Sequence, residues 1–99
     1  MKANHLTHGF EAVLTPSTLN LDEPDAVLRA RALPHGPPLH IDCARLVCQR
    51  TLGVAYVVSQ LLLLRRNRAS IWLCNVNAPL RRCLRLLRLS HLFNLAGPR

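Results

Sequence analysis

Cysteine, histidine and hydroxyl side chains are the groups in this 99-residue chain that could do chemistry. The cysteines are Cys43, Cys48, Cys74 and Cys83. Zinc knuckles and redox pairs use two cysteines separated by two residues, and no pair here has that spacing. His40 and Cys43 are an odd number of residues apart, so on one strand they would point to opposite faces. Three of the four cysteines fall inside apolar runs, so we predict that these three are buried and reduced, and we predict no metal site and no cofactor.

Nucleophilic catalysis needs a serine, threonine or cysteine beside a base. The five histidines show no triad-like spacing, and no glycine-rich phosphate loop is present. We predict that the chain is not an enzyme and has no small-molecule substrate. The hydroxyl of Thr51 is of interest because it precedes a long apolar segment, where a helix N-cap belongs.

Charge divides the chain into two unequal parts. Residues 1–27 carry Lys2 and four acidic side chains, a balance of -3, whereas residues 28–99 carry twelve arginines against Asp42, a balance of +11. Such a field attracts nucleic acid, an anionic membrane or an acidic protein, and a GC-rich coding sequence would also enrich arginine. Charge alone therefore selects no partner.

Three apolar segments predict β-strands. They are residues 10–14, 39–43 and 70–76. The first alternates apolar side chains with Glu11, and Thr15-Pro16-Ser17 after it predicts a turn. The other two are short, apolar and bounded by polar or turn-forming residues, which is typical of buried strands.

Three further segments predict α-helices. The first begins at Asp22 as its N-cap and ends before Pro34. The second covers about sixteen residues from Thr51 and ends in a basic cluster, which suits the negative end of a helix dipole. The third begins at Asn77, with Pro79 in its first turn. Its core-facing side chains are predicted to be Leu80, Cys83, Leu84 and Leu87, opposite a solvated face of arginines.

Alternating strands and helices predict an α/β fold, a small mostly parallel β-sheet with right-handed crossovers and helices packed on it. The length of the chain predicts one domain, residues 1–99. The longest apolar stretch, 52–64, contains Ser59 and Gln60 and is shorter than the roughly 20 residues that a bilayer requires. Residues 1–14 lack the apolar region of a secretory signal. These features predict a cytoplasmic protein without a membrane span.

Four short segments, by their order and spacing, carry a resemblance to a known family. They are Ile41-Asp42-Cys43, Arg50-Thr51-Leu52-Gly53, Leu73-Cys74-Asn75-Val76-Asn77-Ala78-Pro79 and Leu89-Ser90-His91-Leu92-Phe93. With them, residues 38–95 resemble a STAS domain, the fold of anti-sigma factor antagonists. Residues 10–37 match that family in the order of their elements only.

The resemblance implies a non-catalytic bacterial protein-interaction module that regulates transcription. The phosphorylated hydroxyl of the family maps onto Thr51 and its following glycine onto Gly53. The implied partner-binding residues are Gln49, Arg50, Thr51, Leu52 and Gly53. An unmodified antagonist of this kind binds an anti-sigma factor kinase, and the phosphorylated form releases it. Arg50 replaces the acidic residue of the family, and it could pair with a phosphate on Thr51 or with an acidic partner.

Two other functions stay open beside this one. Some STAS domains are cytoplasmic accessory subunits of lipid-transporting ABC complexes, in which a threonine in this turn faces the ABC ATPase. Alternatively, the arginine-rich second half could bind nucleic acid or a membrane surface. The plainest interpretation of Thr51 is an ordinary N-cap without regulation.

Overall fold

The computed structural model describes residues 17–32, 37–67 and 70–96. Within these ranges the chain forms four strands, four α-helices and one 3-10 turn. In chain order they are β1 (Ser17–Leu19), α1 (Ala26–Arg31), β2 (Leu39–Asp42), α2 (Val47–Leu52), α3 (Val54–Asn67), β3 (Ile71–Cys74), α4 (Ala78–Leu86), the 3-10 turn (Ser90–Leu92) and β4 (Asn94–Leu95). None of the described helices is both long and apolar enough to cross a bilayer.

The four strands form one sheet in the order β1-β2-β3-β4, and all neighbouring pairs are parallel. The predicted α/β class is therefore confirmed. When parallel strands follow one another in sequence order, right-handed crossovers place the connecting helices on the same face of the sheet. In agreement, α3 packs against both α1 and α4.

Side chains alternate between the two faces of the sheet. The helix-covered face carries Leu39, Ile41, Ile71 and Leu73, each at most 2% exposed. Helices α3 and α4 complete this core with fully or almost fully buried side chains, which are Val57, Val58, Leu61, Leu64, Leu80 and Leu84. The core is aliphatic, as expected from a chain with few aromatic residues.

The opposite face of the sheet carries a row of polar and aromatic residues in register. Neighbouring strands pair Thr18 with His40, His40 with Trp72, and Trp72 with Asn94. The His40 and Trp72 rings lie 5.9 Å apart, centroid to centroid. Trp72 keeps 38% of its surface exposed, so the described residues cover this face less completely than the helix side.

The N-terminal elements differ from their predictions. The strand predicted at 10–14 lies outside the described residues. The first helix, predicted to end before Pro34, ends at Arg31 with Ala32 as its C-cap. Ser17 was expected in a turn but begins β1, and Asp22 was expected to cap the first helix, which begins only at Ala26. The N-cap position of α1 is Asp25, in the left-handed region at φ 63° and without a side-chain cap hydrogen bond. Both predictions were wrong. Ser17 pairs with β2, its N–H donating to the Pro38 carbonyl at 2.8 Å, and the Asp22 carboxylate binds the start of α2 instead.

The later elements match more closely, although their ends shift. The strands β2 and β3 are shorter than the predicted 39–43 and 70–76. Asn77 caps α4 as predicted, with Pro79 in the first turn. The prediction that Leu87 faces the core is wrong, since this side chain is 55% exposed. Helix α4 has ended by then because Arg88, at φ 59°, turns the chain back and lets the Leu89 N–H bond to the Leu84 carbonyl.

Candidate functional site

The predicted partner-binding residues, 49–53, lie where two helices meet, and we call them the helix-break surface. Helix α2 ends at Leu52 and α3 begins at Val54, whereas one helix starting at Thr51 was expected. Gly53 causes the break, because its φ of 97° and ψ of 161° suit essentially glycine alone. A Cβ on this residue would meet no atom within 4 Å, so the backbone angle rather than space requires glycine.

Thr51 lies in the last turn of α2 and not at an N-cap. Its Oγ1 donates a hydrogen bond to the Val47 carbonyl oxygen at 3.0 Å, one helical turn earlier. The N-cap prediction for Thr51 was therefore wrong, because the helical backbone already begins at Val47. The side chain is exposed, so a second protein or a modifying enzyme has access to the hydroxyl.

The N-terminus of α2 is capped from a distant part of the chain. The position that should provide the cap is Leu46, which has no side-chain acceptor. Instead, the two carboxylate oxygens of Asp22 accept hydrogen bonds from the backbone N–H groups of Val47 at 2.9 Å and Cys48 at 2.8 Å. The loop after β1 thereby holds the start of α2 in place from 25 residues away.

The charge state of Asp22 follows from these contacts. Burial alone would raise the pKa of its carboxyl, but the N–H groups of Cys48 and Val47 stabilise the carboxylate and outweigh that effect. The positive charge of Arg50 acts in the same direction. The net result is a pKa below the ordinary aspartate value, so the cap is ionised at neutral pH.

Asn77 ties the helix-break surface to α4. Its Oδ1 accepts the Leu80 backbone N–H at 3.0 Å, which is the cap, and its Nδ2 donates to the Cys43 carbonyl at 2.7 Å. The amides of Asn77 and Gln49 also pair reciprocally, at 2.8 and 3.0 Å. Gln49 is therefore the anchored member of the surface. The sequence indicated Asn77 as a cap but gave no sign of its contacts with Gln49 and Cys43.

The outward part of the surface combines three chemical types. Arg50 is exposed and brings a positive charge, Thr51 a hydroxyl, and Leu52 a large apolar side chain that is 60% exposed. Val47, 48% exposed, adds more apolar area on the same helix. A shallow pocket beside them is lined by Arg45, Arg50 and Gln49 among others. The arrangement suits contact with another protein that offers apolar and anionic groups.

The cysteines do not converge on a reactive site. Burial, reinforced by the negative charge of Asp42, raises the pKa of the Cys43 thiol to about 12. Burial also raises the pKa of Cys48, to about 11, with a further contribution from Asp22. Three of the four cysteines were predicted to be buried, but only Cys43 is fully buried, and Cys48, Cys74 and Cys83 are half-buried. Across the described ranges, no three histidine, cysteine, aspartate or glutamate side chains gather as metal ligands would.

Comparison with known proteins found no matching family model, no similar curated protein and no similar solved structure. The function must therefore be inferred from the residues of the chain and from their geometry.

Proposed function

We propose that the chain is a STAS-type interaction module related to anti-sigma factor antagonists, and that it acts in the cytoplasm without catalysis. In this proposal the helix-break surface docks a protein partner. The observation that carries it is the exposure of Leu52, at 60%, directly beside Arg50 and Thr51. An exposed large apolar side chain next to a charged group and a hydroxyl is typical of a small protein-binding surface.

The geometry around Thr51 supports regulation by phosphorylation. A phosphate on Oγ1 would add up to two negative charges and would remove the hydrogen-bond donor that now contacts the Val47 carbonyl. It would stand at the negative end of α2 and close to the positive end of α3, which begins at Val54. Arg50, the preceding residue, would be drawn to the phosphate and away from a partner. Docking and phosphorylation would then be mutually exclusive.

Binding of an ATP-binding anti-sigma factor to charge-mimicking variants tests the switch. We expect Thr51→Asp to weaken binding by about tenfold or more, since a like charge at a partner's acidic contact costs over 1 kcal/mol. Thr51→Ala should bind as the unmodified chain does. The measurement is isothermal titration calorimetry. Equal affinity of the three forms would remove the switch from the proposal.

Two matched controls make this measurement specific. Ser59→Asp places the same charge on another exposed hydroxyl, on α3, which also donates to a helical carbonyl. It should leave the affinity unchanged. Leu52→Ser tests the docking surface itself, against Leu28→Ser, an equally exposed leucine on α1. If Leu28→Ser lowers the affinity as much as Leu52→Ser, the helix-break surface is not the docking site.

A further inference from the structure

Helix α2 contributes little to the core of the protein. It consists of six residues, all of which the structure describes, and none of their side chains is buried. Its large apolar side chains, Val47 and Leu52, are exposed, and the half-buried Cys48 packs against the core. The main neighbour of α2 is α3, the next helix in the chain. Isolated helices shorter than about 12 residues are marginal in water, so the folded state of α2 depends on a few contacts.

Hydrogen bonds at two points attach α2 to the rest of the domain. At its start, the Asp22 carboxylate accepts the N–H groups of Val47 and Cys48 at 2.9 and 2.8 Å. In its middle, the side-chain amide of Gln49 pairs with that of Asn77 at 2.8 and 3.0 Å. Groups that water can reach exchange such bonds for bonds to water, so their net contribution to stability is small. An element that is attached in this way can open without the core unfolding.

The residues on either side of α2 confine an opening to this segment. Leu46, immediately before the helix, is 4% exposed and belongs to the core. Gly53 follows the helix, and glycine changes its backbone angles at little energetic cost, so this residue can act as a hinge. Beyond it, α3 contributes Val57, Val58 and Leu61 to the core. The sheet, α3 and α4 therefore keep their shared core when α2 opens.

We propose that α2 is a hinged helix that opens between Leu46 and Gly53 while the rest of the domain stays folded, and that a negative charge on Thr51 favours the open form. Thr51 lies in the last turn of α2, where the free carbonyl groups carry partial negative charge. A phosphate there repels these groups and replaces the hydroxyl proton that contacts the Val47 carbonyl. Opening takes residues 49–52 out of their fixed positions and so dismantles the helix-break surface. This regulatory consequence rests on the proposed function, whereas the hinge does not.

Labelling of Cys48 in the folded protein measures the opening of α2. The reagent is a bulky maleimide at pH 7, which needs more room than a half-buried thiol offers. Burial and Asp22 raise the pKa of Cys48 to about 11, which protects the closed form further. Trypsin cleaves after arginine and leaves the four cysteines in four separate peptides, so mass spectrometry follows each of them. We expect Cys48 to react at least about tenfold faster than the fully buried Cys43. Low concentrations of urea should speed the labelling of Cys43 but scarcely that of Cys48, because local opening exposes little surface.

Matched variants show what holds α2 closed. Gln49→Ala removes the amide pair and should speed the labelling of Cys48 about fivefold, the effect of one typical hydrogen bond, without changing that of Cys43. The control is Gln60→Ala, which removes a half-buried glutamine on α3 and should change neither rate. Thr51→Asp should label at Cys48 about two to five times faster than Thr51→Asn, a side chain of the same size without the charge.

Three results would overturn the proposal. The first is a Cys48 thiol that reacts no faster than Cys43. The second is an equal acceleration of all four thiols in Gln49→Ala, which would mean that α2 opens only when the whole domain unfolds. The third is equal labelling of Thr51→Asp and Thr51→Asn. None of these measurements needs a partner, so a chain that labels as expected but binds no anti-sigma factor would keep the hinge and lose the proposed function.

Discussion

Removing the Asp22 carboxylate should destabilise the fold although this side chain lies in a surface loop. Asp22 accepts the first two N–H groups of α2, and Leu46 cannot replace it. In Asp22→Ala both groups lose their acceptor and the loop after β1 loses its attachment to α2. Replacement of a helix cap by alanine costs about 0.5 to 2 kcal/mol. Because two N–H groups and a long-range contact are lost together, we expect the free energy of unfolding to fall by about 2 kcal/mol.

Asp22→Asn separates the charge from the geometry of the cap. The amide keeps one oxygen acceptor but has no negative charge. We therefore expect the free energy of unfolding of this variant to fall by about 1 kcal/mol. The control is Glu23→Ala, which removes a neighbouring carboxylate whose ion pair with Arg29 is 4.0 Å long and exposed on both sides. Exposed pairs of this kind contribute little, so this variant should lose less than about 0.5 kcal/mol.

Urea unfolding followed by circular dichroism measures these differences. For a domain of this size, about 2 kcal/mol corresponds to a fall in Tm of roughly 8 to 16 °C. The folded pKa of Asp22 is lowered, so its contribution is complete above the unfolded value of about 3.9 and is lost as the pH falls through the folded value. The difference in free energy of unfolding between the unmodified chain and Asp22→Ala should therefore become smaller below about pH 4. If Asp22→Ala lowers the free energy of unfolding at pH 7 by no more than Glu23→Ala does, the capping role is refuted.

Three other substitutions and one reagent test the remaining contacts. Gly53→Ala should cost about 1 to 3 kcal/mol in urea unfolding, through backbone strain alone, because no atom obstructs the added Cβ. In thermal unfolding, Asn77→Ala should lower the stability by about 2 to 4 kcal/mol, because it removes the α4 cap and leaves the Cys43 carbonyl without its donor. Gln49→Ala should lower the stability by less, because both of those contacts remain. With its pKa raised to about 12, Cys43 should resist iodoacetamide at neutral pH until urea unfolds the chain, as mass spectrometry of the labelled peptides would show.

The parts of the fold that the sequence predicted well depend on short-range signals. Asn77 followed by Pro79 marks the start of α4 within three residues, and Arg65 and Arg66 fall in the last turn of α3 as expected. The apolar runs at 39–43 and 70–76 each contain a buried strand. In each case the residues that decide the element are close neighbours in the chain, so a local pattern is sufficient.

The parts that the sequence did not predict depend on distant residues or on a single backbone angle. Nothing near Val47 indicates a helix N-terminus, because its cap is Asp22, 25 residues earlier. Gly53 lies inside the helix predicted from Thr51, where a single glycine is normally tolerated at a cost of about 1 kcal/mol, so the break was not expected. Leu87 fits the helical period of α4, yet the left-handed turn at Arg88 ends the helix first. The candidate site residues come from the resemblance, which did not indicate that 49–52 form the end of one helix and that Gly53 separates it from the next.

The partly open face of the sheet gives this protein an optical reporter of its own. Trp72 is the single tryptophan of the sequence, so all indole fluorescence comes from that face. The His40 ring lies beside the indole, with the two ring centroids 5.9 Å apart. A molecule that settles on the row of Thr18, His40, Trp72 and Asn94 would shift the emission to the blue.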